Sequence, residues 1–116
     1  MKLYDLEDII NIDIKGSLER FSNYEPMYLK YLKKFVCEPT FDEFLKAIDS
    51  GNAEAIENTA HTLKGICGNL GLSDLFDIYN KIVQEVRKGD LKEAQETAIK
   101  AIDDTKKYKN ALAKLD

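Results

Sequence analysis

The chain has 116 residues, of which 33% are charged and 44% hydrophobic, and its formal charge is −4. This composition is typical of one folded domain, residues 1–116, that buries a core without disulfides. The net negative charge, with both signs interspersed, argues against nucleic-acid binding. No apolar run approaches the roughly 20 residues that span a bilayer, and the acidic start is unlike a signal peptide. Since neither cysteine lies in a C-x-x-C pattern, we expect reduced thiols in a cytoplasmic protein. We also expect a monomer with no membrane contact.

Short helices are predicted at the N-terminus, within residues 5–22. A first apolar stretch covers Leu6 to Ile10. Asp13 is a candidate N-cap for a second helix, which should end near Ser22-Asn23.

Four longer helical patterns follow, and no segment shows sustained strand-like alternation. The predicted bundle helices cover about residues 25–49, 53–70, 73–88 and 91–113. Because proline disfavours a helical residue before it, the Glu38-Pro39 step should kink or break the first of them. Gly71 is expected as the left-handed residue after the second helix, and Ser73 as the cap of the third.

The last helix has a predicted inward side. It consists of Ala94, Ala98, Ile99, Ile102, Thr105, Tyr108 and Leu112. Because the connections are short, consecutive helices should lie antiparallel. The predicted fold is therefore all-α, an antiparallel up-down four-helix bundle with short extra N-terminal helices.

The only histidine of the chain, His61, lies on the second bundle helix. At about 100° per residue, several residues fall within about 60° of it on the helical wheel. They are Glu57, Asn58, Lys64, Gly65 and Gly68. An apolar set, Ile56, Leu63, Cys67 and Leu70, falls roughly opposite. The imidazole is therefore predicted to face away from the core.

The residues around His61 suit phosphorus chemistry with a large partner. Gly65 and Gly68 each cost the helix about 1 kcal/mol relative to alanine, and they leave bare backbone that another protein can approach. An exposed imidazole is mostly neutral near pH 7, so one nitrogen has a free lone pair. Lys64, one turn along, is placed to offset the charge of a phosphoryl group. Alternatively, a neighbouring helix covers the glycines and His61 is a core residue, although the better core face lies opposite.

These residues resemble a known signature. Ala60-His61-Thr62-Leu63-Lys64-Gly65, followed by Gly71, is similar to the H-x-x-K-G-x-x-x-x-x-G motif of histidine phosphotransfer (HPt) domains of multistep two-component phosphorelays. Tyr28 to Phe35, the Gly51-Asn52 turn and Arg87-Lys88-Gly89-Asp90 extend the resemblance. It covers about residues 13–90, and the last helix matches only in length and pattern.

The resemblance implies a phosphocarrier. His61 would accept a phosphoryl group from a receiver-domain aspartate and pass it to another, through phosphohistidine. Lys64 would stabilise the phosphate, while Asn58, Gly65 and Gly68 would meet the docked partner. Response-regulator receiver domains and a hybrid histidine kinase are the implied partners. No cofactor or metal is expected, since Mg²⁺ would belong to the receiver.

The resemblance also implies a protein that is not an enzyme with kinase activity of its own. In agreement, the sequence has no Walker-type loop or other nucleotide-binding signature.

One position departs from the family pattern. HPt domains often carry an acidic or amide residue about where Val83 stands. Gln84 or Arg87 would have to substitute for it, and we place Arg87 as a second cation near the site. The apolar residue at this position favours a second hypothesis, a bundle that docks a receiver or kinase without being phosphorylated.

Overall fold

The computed structural model describes residues 1–116 and is helical throughout, apart from one isolated antiparallel bridge between Ile12 and Leu72. A 3-10 helix covers Leu3–Asp8. The α-helices are α1 (Ile14–Arg20), α2 (Glu25–Phe35), α3 (Pro39–Ser50), α4 (Ala53–Leu70), α5 (Ser73–Arg87) and α6 (Leu91–Leu112). The predicted all-α helical bundle is confirmed.

The bundle consists of α4, α5 and α6 together with the broken pair α2 and α3. Helix α5 packs between α4 and α6, while α2 and α3 each contact both α4 and α6. The interior is one continuous cluster of 27 buried apolar residues. Its two largest fully buried side chains end in hydroxyl groups with partners: Tyr28 donates to the carbonyl of Leu70 at 2.7 Å, and Tyr79 pairs with the Thr105 hydroxyl at 2.6 Å.

The helix predicted over 25–49 is two helices, separated at Val36–Glu38. Glu38 is extended, with φ −63° and ψ 117°, and Pro39 is the first residue of α3. Proline disfavours the helical conformation of the residue before it, yet it suits the first helical position, where no backbone donor is needed. Of the two outcomes expected at this step, the chain therefore shows a break.

The N-terminal segment binds the turn between α4 and α5. The Asp13 amide donates to the carbonyl of Gly71 at 2.9 Å. Arg20 donates to the carbonyls of Gly68 and Asn69 at the end of α4, and the Gly68 carbonyl also accepts from the Gly71 amide at 3.3 Å. Gly71 is left-handed, as predicted, with φ +74°, and a Cβ atom there would clash with the Ser17 hydroxyl. This turn positions α5 beside the histidine helix.

Three local expectations are wrong. The first N-terminal helix covers Leu3–Asp8 rather than Leu6 to Ile10. Ser73 is the first residue of α5 and does not cap it, since its hydroxyl donates to the carbonyl of Gly71 at 3.3 Å and Leu72 precedes the helix. Ile99 is 72% exposed, because α6 turns its small residues, such as Ala98 and Ala101, towards the core instead.

Candidate functional site

Helix α4 presents His61 to solvent. The side chain of Asn52 caps the helix by accepting from the Ala55 amide at 3.1 Å. From there α4 buries one face: Ile56, Ala60, Leu63, Cys67 and Leu70. His61 and Gly65 are exposed and belong to the opposite face. The imidazole is therefore accessible from solvent.

The two glycines near His61 have different surroundings. A Cβ atom on Gly65 would have no neighbour within 4 Å, so the surface beside it is open. A Cβ atom on Gly68 would lie 2.9 Å from Cδ1 of Phe76, which belongs to α5. The expectation that both glycines clear the partner's approach needs correction, because the space over Gly68 is filled from within the bundle. Only Gly65 leaves bare surface.

Phe76 also contacts the candidate phosphate-binding lysine. The Nζ atom of Lys64 lies 5.7 Å from the centre of the Phe76 ring, within the range of a cation–π contact. Lys64 is half-buried and Phe76 is 36% exposed. The sequence analysis gave Phe76 no role at the site. The signal that points to it is Gly68, a helix position without a side chain that faces the next antiparallel helix.

The second candidate cation, Arg87, is already paired. Its Nε atom lies 3.5 Å from Oε2 of Glu57, which stands one turn before His61 on α4. The Arg87 and Glu57 side chains are 51% and 32% exposed. Asn58 is exposed beside them, and its carbonyl accepts from the Thr62 hydroxyl at 3.0 Å. The structure therefore brings Arg87 to the histidine face of α4, but in contact with a carboxylate.

The register between α4 and α5 places Val83 level with His61. Glu57 pairs with Arg87, and Gly68 contacts Phe76. On α4, His61 lies four residues after Glu57 and seven before Gly68. On α5, Val83 lies four residues before Arg87 and seven after Phe76. Val83 is fully buried, so this level of α5 presents an apolar side chain to the core. Gln84, the other candidate substitute, is exposed and makes no hydrogen bond to another side chain of α4 or α5.

The cysteines do not contribute to the site. Cys67 is fully buried on the core side of α4, and burial raises the pKa of its thiol far above the usual range. A thiol that stays protonated is a poor nucleophile and a poor metal ligand. Cys37 is exposed beyond the end of α2. No group of three or more His, Cys, Asp or Glu side chains is arranged to hold a metal ion.

An all-helical bundle with an exposed histidine, a lysine one turn along and an open glycine has the architecture of a phosphotransfer domain. A family model for the Hpt domain matches residues 36–115. The chain belongs to the Hpt-domain family, whose members are phosphocarriers of two-component signalling and not kinases. The match includes α6 and begins after α2, so it extends further towards the C-terminus than the motif resemblance.

Neither a curated protein nor a solved structure matches this chain. None of its helices combines the length and the apolar character needed to cross a membrane.

Proposed function

We propose that this protein relays a phosphoryl group between receiver-domain aspartates, with His61 as the acceptor. The observation that carries the proposal is the exposure of His61 next to Gly65, where a Cβ atom would meet no other atom within 4 Å. A receiver must bring its aspartyl phosphate to the imidazole, so the surface around the nucleophile has to be open. The open backbone at Gly65 meets this requirement one helical turn from His61.

The proposed transfer is a reversible displacement at phosphorus. A lone pair on an imidazole nitrogen of His61 forms the new P–N bond, while the bond from phosphorus to the aspartate oxygen breaks. The electron pair of that bond stays on the leaving carboxylate. Lys64 offsets charge on the phosphoryl oxygens, and positioning with charge stabilisation is most of what such a transfer requires. Mg²⁺ would be held by the receiver.

The partners follow from this chemistry. A hybrid histidine kinase is the proposed source of the phosphoryl group, and a response-regulator receiver is the proposed destination. Docking would use Gly65 and Asn58 and the edge of Phe76 above Gly68. A monomer in the cytoplasm, with both thiols reduced and no cofactor of its own, is part of the same proposal.

The experiment is a phosphotransfer assay. A purified receiver domain is phosphorylated with a small acyl phosphate, and Mg²⁺ and this protein are added. We expect the protein to acquire a phosphoryl group that is labile in acid and stable in base, as a phosphoramidate is. The His61→Gln variant should take no label, and its circular dichroism should match that of the wild type. A variant that is still labelled contradicts the assignment of His61.

A second candidate function is favoured by Val83. A buried apolar residue lies level with His61, where the family pattern often has an acidic or amide residue. The protein would then dock a receiver or kinase without being phosphorylated. In that case His61→Ala would leave binding of the receiver and its regulation intact, and phosphohistidine would never be detected.

A further inference from the structure

Arg87 stands beside the histidine face of α4 with most of its guanidinium uncommitted. Its one polar contact is from Nε to Glu57 Oε2, at 3.5 Å. The two terminal nitrogens donate no hydrogen bond within the chain. Since Glu57 is four residues before His61, their side chains are neighbours on the helix surface. The guanidinium therefore lies about one helical turn from the proposed phosphorylation site.

Another anion can readily replace Glu57 as the partner of Arg87. Ion pairs between solvent-exposed side chains contribute little to stability, and these side chains are 32% and 51% exposed. A phosphoryl group carries more negative charge than a carboxylate and has three acceptor oxygens. A guanidinium can bind two of those oxygens at once, which a single contact through Nε does not achieve. A phosphoryl group on His61 would therefore compete well for Arg87.

We propose that Glu57 is a positioning residue that withholds Arg87 from the site, and that phosphorylation of His61 transfers Arg87 from Glu57 to the phosphoryl oxygens. This inference rests on the proposed function of His61. Its consequence is that Glu57 limits the lifetime of phosphohistidine. Removing the carboxylate frees Arg87 and prolongs the phosphorylated state.

The physical reason lies in hydrolysis. Water attacks phosphorus, the P–N bond breaks, its electron pair stays on the imidazole nitrogen, which takes a proton, and inorganic phosphate leaves. A guanidinium bound to two phosphoryl oxygens stabilises the phosphorylated protein. It also covers part of the face from which water reaches phosphorus. Arg87 therefore slows hydrolysis, and Glu57, by competing for Arg87, accelerates it.

The test measures the half-life of phosphohistidine at fixed pH and salt, after labelling with phosphoramidate, which needs no receiver. Glu57→Gln should lengthen the half-life about two- to fivefold, the range that corresponds to an exposed ion pair. Arg87→Gln should shorten it. In the Arg87→Gln background, Glu57→Gln should have no effect, because the carboxylate acts only through the guanidinium. An equal effect in both backgrounds, or no effect in either, overturns the proposal.

The matched control is Glu54→Gln. Glu54 is an exposed carboxylate in the first turn of the same helix and makes no ion pair. Its removal changes the net charge by the same amount, so the half-life should stay at the wild-type value. The conservative variant Glu57→Asp keeps the charge and should lengthen the half-life less than Glu57→Gln.

A second measurement requires no phosphorylation. The coupling between Glu57 and Arg87 is obtained from a double-mutant cycle in urea unfolding, in the wild type and in His61→Glu. The new carboxylate should draw Arg87 away and reduce the coupling. No coupling in the wild type, or equal coupling in both proteins, overturns the exchange of Arg87.

The proposed function and this inference fail in different ways. If phosphoramidate labels the protein but a phosphorylated receiver does not, only the proposed function is contradicted. If transfer from the receiver is normal but Glu57→Gln leaves the half-life of phosphohistidine unchanged, only this inference is contradicted.

Discussion

The ring of Phe76 occupies the space that a side chain at Gly68 would need, since a Cβ atom there would lie 2.9 Å from Cδ1 of the ring. The same ring lies 5.7 Å from Nζ of Lys64. One aromatic residue of α5 thus requires a glycine on α4 and contacts the lysine one turn before it. The two glycines of this helix face consequently have different roles.

Gly65 and Gly68 should respond in opposite directions to the same substitution. Gly65→Ala places a methyl group in open space and should raise the free energy of unfolding by about 0.5–1 kcal/mol, because alanine loses less backbone entropy in a helix. Gly68→Ala should gain the same free energy from reduced backbone entropy, but its methyl group displaces Phe76, and overpacking of this kind costs about 1–3 kcal/mol. Urea unfolding should therefore show Gly68→Ala to be at least about 1 kcal/mol less stable than Gly65→Ala. Equal stability of the two variants would mean that Phe76 moves aside freely.

A larger side chain at Gly65 should block the partner while leaving the bundle folded. Gly65→Leu fills the open surface one turn from His61, so we expect phosphotransfer from a receiver to slow strongly. Labelling by phosphoramidate, a small donor, should change much less. Ala53→Leu, on an exposed position in the first turn of α4, is the control and should leave both rates unchanged. Equal slowing with both donors would indicate damage to His61 itself and not to docking.

Lys64 should support the transfer, and Phe76 should act through it. Lys64→Ala removes the cation and should slow transfer or shorten the life of phosphohistidine about fivefold, the upper range for an exposed ionic contact. Phe76→Leu keeps an apolar side chain but loses the aromatic face, so its effect should be smaller. In the Lys64→Ala background, Phe76→Leu should not shorten the half-life of phosphohistidine further, since that half-life does not depend on docking of a receiver. Transfer rates and half-lives at constant salt measure these effects, and an unchanged rate in Lys64→Ala would remove this residue from the mechanism.

Acidic side chains at the junction of α5 and α6 predict a pH-dependent stability. Hydrogen bonding to Asp90 and Glu85 raises the pKa of Glu93 above its usual range. Glu85 is only 6% exposed, and its Oε1 atom has no hydrogen-bond partner. A carboxyl group whose pKa is raised by folding destabilises the folded protein at neutral pH, and this penalty is relieved as the pH falls through the raised pKa towards the ordinary pKa of a glutamate.

Replacing Glu93 removes this penalty. Glu93→Gln should be more stable than the wild type at pH 7, and its free energy of unfolding should depend less on pH between neutral and the ordinary range of a glutamate. Thermal or urea unfolding at several pH values measures the difference. Glu96→Gln, an exposed change one turn along on the same helix, is the control. A Glu93→Gln protein with the same pH dependence as the wild type would contradict the prediction.

Local periodicity accounts for the features that could be predicted. Ile56, Leu63 and Cys67 recur at helical spacing, and this alone predicts that α4 buries them and exposes the opposite face with His61. Gly71 follows the last periodic residue and adopts the left-handed conformation expected of a helix end. The break before Pro39 depends only on this proline and on Glu38, whose helical conformation the proline disfavours. Each of these features is decided within a few residues along the chain.

The sequence by itself determined the helical class, the exposed histidine and the family signature around it. Only the tertiary structure decided that Phe76 covers Gly68, that Arg87 pairs with Glu57, and that Val83 lies buried level with His61. The physical reason is that periodicity describes one helix at a time. Which residues meet across α4 and α5 depends on the register between them, and the turn at Gly71 with the N-terminal segment bound to it sets that register.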